Sequence, residues 1–450
     1  MTAEQRPTPA PGWAKDLVIY ELNPRAFTSP NGVGDGSGSG TFRSLRQKLP
    51  YLRGLGINAI WMAGHSQASN HFYGIWSAYA ADRPDRIEPA LGTAADLKEL
   101  VTAAHSHDIR VFLDVVSHGV LADSSLVKEH PAWFRGSSWG MADYYYQQPE
   151  FRRWWVDLWM SHALDYDVDG FRIDVALGDV TLWDEITSRL QEAGKDIVVF
   201  PEAERYHFSQ QDTFDFSSDQ YLTVDIRHSI GNGPGLYTMQ VSSHDRGWEA
   251  LPGNHYVIRG SRAKLGYGAL LSPHIPVMFS GEEFDATPVP LPNLKQGLFG
   301  TGGPGGWLYG NQLQWSQLEQ PSNAAMVQDA ADMLRVRHET SRLLNGDSGA
   351  ALITRVPGNG ASSLVPFARY LGGEDAIIVV GNDTPVAITC RIAPNLEKLG
   401  YGHSRKLRLT DLVSGKSRRV EPDGLDRVPI RIRPDRVAGG GIRVFRLRPD

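Results

Sequence analysis

The sequence predicts an α/β protein in which a (β/α)8 barrel, residues 1–345, is followed by a small C-terminal antiparallel β-sandwich, residues 346–450. Through the first part of the chain, strand-like apolar runs alternate with amphipathic helical patterns, and this alternation is typical of parallel strands joined by helices. After the helix predicted at Asn323–His338, strand-like runs follow one another with no helical pattern between them. This change of pattern places the domain boundary near residue 345.

The individual elements are short apolar or periodic runs bounded by turn residues. Thr93 is a candidate N-cap for the helix that follows it, and the segment 119–148 is predicted as a short insertion after the third strand. The predicted barrel strands are Leu17–Glu21, Ala59–Met62, Val111–Asp114, Phe171–Asp174, Ile197–Glu202, Tyr221–Ile226, Tyr237–Val241 and Ile275–Phe279. The predicted helices are a run through Phe42, Leu45, Leu49 and Leu52, then Ala94–His105, Phe151–Asp165 and Thr181–Gln191. The predicted sandwich strands are Ser363–Arg369, Ala376–Val380, Val386–Ile392 and Ile442–Leu447.

Composition and charge exclude several classes of protein. Hydrophobic residues make up 41% and charged residues 21% of the 450 residues, as in an ordinary globular protein. The net charge is −6 and the basic residues are scattered, which argues against a nucleic-acid or membrane partner. The single cysteine, Cys390, cannot form an internal disulfide, and no apolar run is long enough to span a bilayer. We therefore expect a cytoplasmic protein with a neutral or polar substrate; the composition leaves the oligomeric state open.

Three acids follow predicted strands, at the end of the barrel where active sites lie. Asp174 closes the fourth strand, Glu202 closes the fifth, and Asp245 lies just beyond the seventh. Arg172 lies two residues before Asp174, so the strand period places both on one face, where the guanidinium favours the ionised carboxylate that a nucleophile needs. The apolar run Val198–Phe200 before Glu202 is expected to favour its protonated form. Two such acids, about 5–6 Å apart, cleave a glycosidic bond with retention of configuration.

The acids lie within four short motifs that occur in order and at fitting spacing. The motifs are Asp114–His118, Gly170–Ala176, Phe200–Glu202 and Ser243–Asp245, and the smaller matches are Gly34–Gly36, Leu52–Ile57, Leu91–Thr93, Ala142–Tyr144, Gln148–Glu150 and Phe279–Glu283. Together they resemble the α-amylase-type glycoside hydrolases, a family of retaining barrel enzymes that act on α-glucosidic bonds. The resemblance runs from about Leu17 to Trp315, and a C-terminal sandwich is what that family usually carries.

The resemblance implies a role for each acid. Asp174 corresponds to the nucleophile, Glu202 to the acid/base and Asp245 to the residue that stabilises the transition state. The physical argument agrees, because a carboxylate bound to the reacting sugar's hydroxyls interacts more strongly as charge develops.

The resemblance also implies residues that bind the substrate. His118 and His244 would donate hydrogen bonds to the reacting sugar, and Arg172 would orient the nucleophile. Taken alone, either histidine is equally well explained as an ordinary loop histidine. The aromatic side chain under the sugar is assigned to Tyr73, with Trp76 as the second choice, because the family's pattern aligns with a slip of several residues here.

Three departures from the family's pattern bear on metal binding and specificity. Ser117 stands where an asparagine usually binds calcium, so a structural calcium is doubtful even though Asp143 lies where another ligand would be, and no metal site or cofactor is predicted. Leu177–Gly178 replaces a Lys-His pair that contacts the leaving glucan in many starch-cleaving members. Ser243 replaces an asparagine in the fourth motif.

Three functions are compatible with these residues. The first is a retaining hydrolase of α-glucans or their oligosaccharides. The second is an α-glucosyltransferase or sugar isomerase on short oligosaccharides, because hydrolysis and transfer share every step up to the glycosyl-enzyme. The third is a catalytically silent carbohydrate-binding relative, which would have no need of three acids. Linkage, substrate length and the choice between internal and terminal attack are left open by the motifs.

Overall fold

The computed structural model describes most of the chain. The described residues are 9–34, 38–70, 74–204, 206–209, 236–244, 261–271, 274–287, 289–291, 311–345, 349–355, 364–404 and 406–450. Among the helices of these ranges, none combines the length and hydrophobicity needed to cross a bilayer.

An eight-stranded parallel sheet organises the N-terminal part of the described chain. Counted in chain order, its strands are hydrogen-bonded in the order fifth, fourth, third, second, first, eighth, seventh, sixth. The strands are Ile19–Leu22, Ala59–Met62, Arg110–Val116, Gly170–Asp174, Val198–Pro201, Phe208–Ser209, Leu236–Gln240 and His274–Phe279. Each of the other predicted strands overlaps one of these, whereas the predicted strand Tyr221–Ile226 lies outside the described residues. The two-residue strand Phe208–Ser209 was not predicted.

The sheet is curled, because its two edge strands approach each other. The backbone N–H of His207, next to the sixth strand, donates to the carbonyl oxygen of Val199 in the fifth at 3.2 Å. The N–H of Val199 donates in return to Nδ1 of His207 at 3.0 Å.

Alternation along the strands separates two apolar layers. One cluster of buried side chains includes Ile19, Trp61, Phe112 and Phe200, while their sequence neighbours belong to a larger cluster shared with the helices. Side chains two residues apart in a strand lie on the same face of the sheet. Every second residue after those of the first cluster therefore lies on the same face as that cluster, up to the carboxyl end of its strand. The polar residues at those ends therefore converge inside the curl.

Helices cover the outer face of the sheet. The α-helices of the described residues are Pro24–Phe27, Phe42–Arg46, Leu49–Leu55, Ala94–Ser106, Ser125–Glu129, Pro149–Asp165, Val180–Glu192, Arg262–Leu270, Pro321–Glu339 and Ser341–Asn345. The Thr93 cap is confirmed, since its hydroxyl accepts from the N–H of Asp96 at 3.2 Å. The pattern starting at Phe42 forms two helices rather than one. Pro50, at the start of the second, has no N–H with which to continue the ladder of the first.

The predicted insertion 119–148 contains a small antiparallel sheet. Its strands are Gly119–Leu121, Phe134–Ser138 and Met141–Tyr144, with Met141–Tyr144 in the centre. A separate antiparallel pair, Ser66–Ser69 with Ser77–Ile87, follows the second strand of the parallel sheet. Both small sheets lie in connections after carboxyl ends of parallel strands, where active-site loops are found.

The C-terminal part of the described chain consists of antiparallel sheets with their own core. The largest has six strands in the order Gly349–Leu352, Phe367–Leu371, Asp375–Gly381, Ile442–Pro449, Leu407–Asp411 and Ser417–Val420. Two-stranded sheets pair Thr354–Arg355 with Ile392–Ala393 and Ile388–Cys390 with Ile430–Ile432. A further antiparallel pair, Val289–Pro290 with Asn311–Gln312, belongs to the N-terminal part of the chain. Buried residues such as Ile378, Tyr401 and Ile430 form the C-terminal core.

Candidate active site

Arg172 is the centre of the candidate site. Its guanidinium is fully buried, and Nη1 donates to Oδ1 of Asp174 at 2.8 Å and to Oδ1 of Asp114 at 3.1 Å. Nη2 donates to Oε2 of Glu202 at 2.8 Å. One cation thus joins three carboxylates from neighbouring strands. The prediction that Arg172 and Asp174 share a face is confirmed.

Asp174 is held as a carboxylate. Its burial opposes ionisation, but the hydrogen bond from His118 and the positive charge of Arg172 outweigh it and keep the pKa of Asp174 below its usual value. Nε2 of His118 lies 3.4 Å from Oδ2 of Asp174. An ionised carboxylate at the end of a strand is suited to act as a nucleophile.

Asp114 has a different environment. Burial is the largest effect and raises the pKa of Asp114 to about 6, although Arg172 acts in the opposite direction. Its Oδ2 accepts from Nε1 of Trp61 at 3.0 Å and from the hydroxyl of Tyr79 at 2.9 Å. With its oxygens engaged in this way, Asp114 positions the guanidinium and does not face a substrate.

Glu202 lies at the rim of the sheet rather than in the apolar surroundings that the sequence predicts. Its side chain is 27% exposed. Oε2 accepts from Nη2 of Arg172 and from the backbone N–H of Val175, the latter at 3.0 Å. Val175 has a φ of +62°, rare for a β-branched residue, and this conformation aims its N–H at the carboxylate. Glu202 is thus both reachable from the solvent and fixed in orientation.

His244 is held by a residue that the sequence analysis did not single out. Nδ1 and the backbone N–H of His244 both contact Oε1 of Glu21, and Nε2 of Gln240 donates to the other oxygen of Glu21 at 2.8 Å. The ring of Tyr79 stacks on the ring of His244 with centroids 5.1 Å apart. Glu21 and Gln240 fall on the inward positions of their strands, and that periodicity is the signal that could have identified them.

The structure brings together only some of the predicted site residues. Asp174, Glu202, Arg172, His118 and His244 share one cluster, whereas Asp245 and Tyr73 lie outside the described residues. Trp76 is half-buried and packs against the apolar group that includes Tyr79; its Nε1 donates to Oε2 of Glu88 at 3.0 Å. Tyr79 and Trp61 both contact Asp114 and His244. The sequence analysis missed Tyr79 because the family's pattern slips in the stretch just before it.

Ser117 and Asp143 lie where the family resemblance implies calcium ligands. The Ser117 hydroxyl is buried and donates to the carbonyl oxygens of Asp174 and Ala176, so it ties down the loop after the nucleophile. Asp143 accepts from Oγ of Ser138 at 2.9 Å, and its other oxygen is buried without a hydrogen-bond partner. Across the described ranges, no cluster of three or more histidine, cysteine, aspartate or glutamate side chains is arranged to hold a metal.

Part of the chain matches a known protein family. Residues 22–130 match the family described as Alpha-amylase, the alpha amylase catalytic domain.

Curated relatives cover more of the chain at low identity. The "Alpha-amylase MalA" of Haloarcula japonica is 25% identical over 462 residues, covering 94% of this chain and 62% of the relative. The "Oligo-1,6-glucosidase" of Parageobacillus thermoglucosidasius is 25% identical over 269 residues, covering 50% of this chain and 46% of the relative. The chain thus spans less than two thirds of the length of these relatives.

Solved structures share the fold. An alpha-amylase from Geobacillus thermoleovorans, complexed with acarbose, superposes with a TM-score of 0.73 at 17% identity, covering 96% of this chain and 98% of that one. An isomaltulose synthase mutant from Erwinia rhapontici in complex with D-glucose superposes with a TM-score of 0.69 at 14% identity, covering 98% and 100%.

Proposed function

We propose, on the premise that the chain is a member of the alpha-amylase family of glycoside hydrolases, that it cleaves α-glucosidic bonds in α-glucans or their oligosaccharides with retention, through a covalent glycosyl-enzyme. One observation carries the proposal. Arg172 bridges a low-pKa carboxylate, Asp174, and a partly exposed one, Glu202, at the carboxyl ends of adjacent parallel strands. Such a pair supplies both groups that a double displacement needs.

In the first displacement, the ionised Asp174 attacks the anomeric carbon and the glycosidic C–O bond breaks. Oε2 of Glu202 is engaged by Arg172 and Val175, so Oε1 is the oxygen left to carry the proton to the departing oxygen. In the second displacement, Glu202 takes a proton from water, which attacks the same carbon and releases Asp174. Two inversions restore the α configuration.

The sugar-binding groups extend this assignment. His118, beside Asp174, and His244, oriented by Glu21, would donate hydrogen bonds to the reacting glucosyl unit. Tyr79 would contact that unit next to His244. The family resemblance adds Asp245, the residue after His244, as the carboxylate that stabilises the transition state.

Glucosyl transfer or sugar isomerisation is the second candidate function. It differs only in the acceptor, since a sugar hydroxyl replaces water in the second displacement. The isomaltulose synthase with the same fold is the observation that favours it.

Product analysis over time tests the proposal and separates the two candidates. The chain would be incubated with α-1,4- and α-1,6-linked di- and oligosaccharides in water enriched in oxygen-18, with the Asp174→Asn variant as the control. Hydrolysis releases shorter sugars that carry oxygen-18 at the new reducing end. Transfer or isomerisation forms new linkages without the label. No product from any substrate would contradict both.

The finer architecture is part of the same proposal. We propose that the parallel sheet closes as a (β/α)8 barrel within residues 1–345, and that the C-terminal sheets form a β-sandwich within residues 346–450. The strand order and the hydrogen bond between His207 and Val199 support the first assignment. The separate C-terminal core supports the second.

We also propose that the enzyme works without calcium. A cation that binds only the folded chain stabilises it, so its removal lowers the melting temperature. Because the Ser117 hydroxyl is bound to two backbone carbonyls, we expect chelation to change neither the melting temperature nor the activity. The measurement is thermal unfolding and turnover before and after treatment with a chelator. A drop of several degrees that calcium, but not magnesium, reverses would mean that a site forms despite Ser117.

A further inference from the structure

Trp139 is an exposed aromatic side chain at the tip of a hairpin. The hairpin joins the strands Phe134–Ser138 and Met141–Tyr144. With 68% of its surface exposed, Trp139 is the most exposed large hydrophobic residue in the described part of the chain. A single exposed apolar residue is unremarkable by itself. Two further observations distinguish Trp139.

The first observation is its backbone conformation. Trp139 has a φ of +52° and Gly140 a φ of +80°. A two-residue hairpin turn with two left-handed residues ordinarily has asparagine, aspartate or glycine at the first of them, because a side chain makes this conformation unfavourable. Local stability therefore favours a small or polar residue at position 139. A tryptophan there indicates a role other than folding.

The second observation is its position beside the nucleophile. The indole meets the ring of His118 edge to face, with centroids 5.1 Å apart, and His118 contacts Asp174. The hairpin is fixed in this place, because the N–H of Tyr144 donates to the carbonyl oxygen of His118 at 3.1 Å. Trp139 is thus separated from Asp174 by one side chain. At 68% exposure, most of the indole surface is open to solvent.

We propose that Trp139 determines specificity by stacking on the glucosyl unit next to the one that reacts with Asp174. The inference rests on the proposed function. A pyranose ring presents C–H groups on its faces, and an aromatic face covers them while the hydroxyls at the ring's edge stay hydrated. The ligand class is an α-linked oligosaccharide of at least two units. We expect a single glucosyl unit bound by His118 and His244 to depend less on the indole than a longer substrate does.

The test compares Trp139→Ala and Trp139→Phe with the unchanged chain. Val386→Ala, at an exposed valine in the C-terminal part of the chain, is the control. Substrates are α-glucosyl fluoride, which has one sugar unit, and the oligosaccharides that the chain cleaves. For Trp139→Ala we expect KM for oligosaccharides to rise about three- to tenfold with little change in kcat, as for loss of uniform binding. The KM of Trp139→Phe for oligosaccharides should lie between those of the unchanged chain and Trp139→Ala. The kinetic constants for α-glucosyl fluoride should be the same in all variants.

A structural role is tested with Trp139→Gly, which removes the indole and suits the left-handed turn. We expect its melting temperature to be unchanged or higher, with the same rise in KM. A lower melting temperature with unchanged KM, or an equal loss on α-glucosyl fluoride and oligosaccharides, would overturn the proposal.

Binding measurements separate this proposal from the proposed function. Calorimetric titration of Glu202→Gln, with and without Trp139→Ala, uses maltotetraose and isomaltotetraose as probes. If Trp139→Ala weakens binding of these sugars but the unchanged chain does not turn them over, the proposed hydrolase function is wrong and the stacking site stands. If the unchanged chain turns the sugars over but Trp139→Ala does not weaken their binding, the stacking site is wrong and the proposed hydrolase function stands. Absence of both binding and turnover would overturn both.

Discussion

Asp174→Asn is expected to lower kcat/KM on the order of 10^5-fold while the chain stays folded. An amide cannot form the glycosyl-enzyme, because its oxygen is a far weaker nucleophile than the ionised carboxylate that His118 and Arg172 maintain at this position. The volume is unchanged, and Arg172 keeps Asp114 and Glu202 as partners, so the buried guanidinium is not left unpaired. Initial rates measure the fall in kcat/KM, and thermal unfolding shows whether the variant stays folded.

The matched control is Asp157→Asn, on the exposed side of the helix Pro149–Asp165. Its rates should equal those of the unchanged chain. A second variant, Asp174→Gly, opens space for an external nucleophile. With α-glucosyl fluoride, azide should enter directly from the face that Asp174 occupied and give β-glucosyl azide. An Asp174→Asn enzyme with more than a tenth of the original activity would show that another residue is the nucleophile.

The periodicity of the strands accounts for what the sequence could predict of this site. Arg172, Asp174 and Glu202 lie on inward positions at the ends of adjacent strands, so their meeting follows from alternation and strand order. Glu21 was missed because its partner His244 lies 223 residues away, and no local pattern connects an acid in one strand with a loop that distant. The exposure of Glu202 was also missed. The apolar residues before it pack inside the sheet, whereas the carboxylate extends past the strand end.

Fold prediction failed at one strand that is too short to show a pattern and at one helical run that a proline divides. Phe208–Ser209 has two residues, too few for alternation to appear, yet it occupies an edge of the parallel sheet. The first helical pattern is periodic through Leu52, but Pro50 interrupts the backbone ladder without interrupting the apolar stripe. Side-chain periodicity reports burial, whereas helix continuity depends on backbone N–H groups. The two signals therefore disagree at a proline.

Glu202→Gln is expected to separate substrates by their leaving groups. Oligosaccharides need a proton on the departing oxygen, so their kcat/KM should fall by about 10^2- to 10^4-fold. Fluoride leaves without that proton, so α-glucosyl fluoride should still form the glycosyl-enzyme at a rate close to the original. The glutamine oxygen can go on accepting from Arg172 and Val175, which holds the side chain in place.

The product formed from the trapped sugar distinguishes the nucleophile from the acid/base. In Glu202→Gln the second displacement lacks its base, so the glycosyl-enzyme on Asp174 accumulates and is detected by intact mass. Azide needs no base and should release it as α-glucosyl azide, the opposite anomer to that expected from Asp174→Gly. Glu204→Gln is the matched control, an exposed carboxylate two residues further on that accepts from the N–H of Leu177 at 3.1 Å. An acid/base that only transfers protons is not needed for α-glucosyl fluoride to form the glycosyl-enzyme. An equal fall of kcat/KM for oligosaccharides and for α-glucosyl fluoride in Glu202→Gln, with no azide product, would therefore show that Glu202 is not the acid/base.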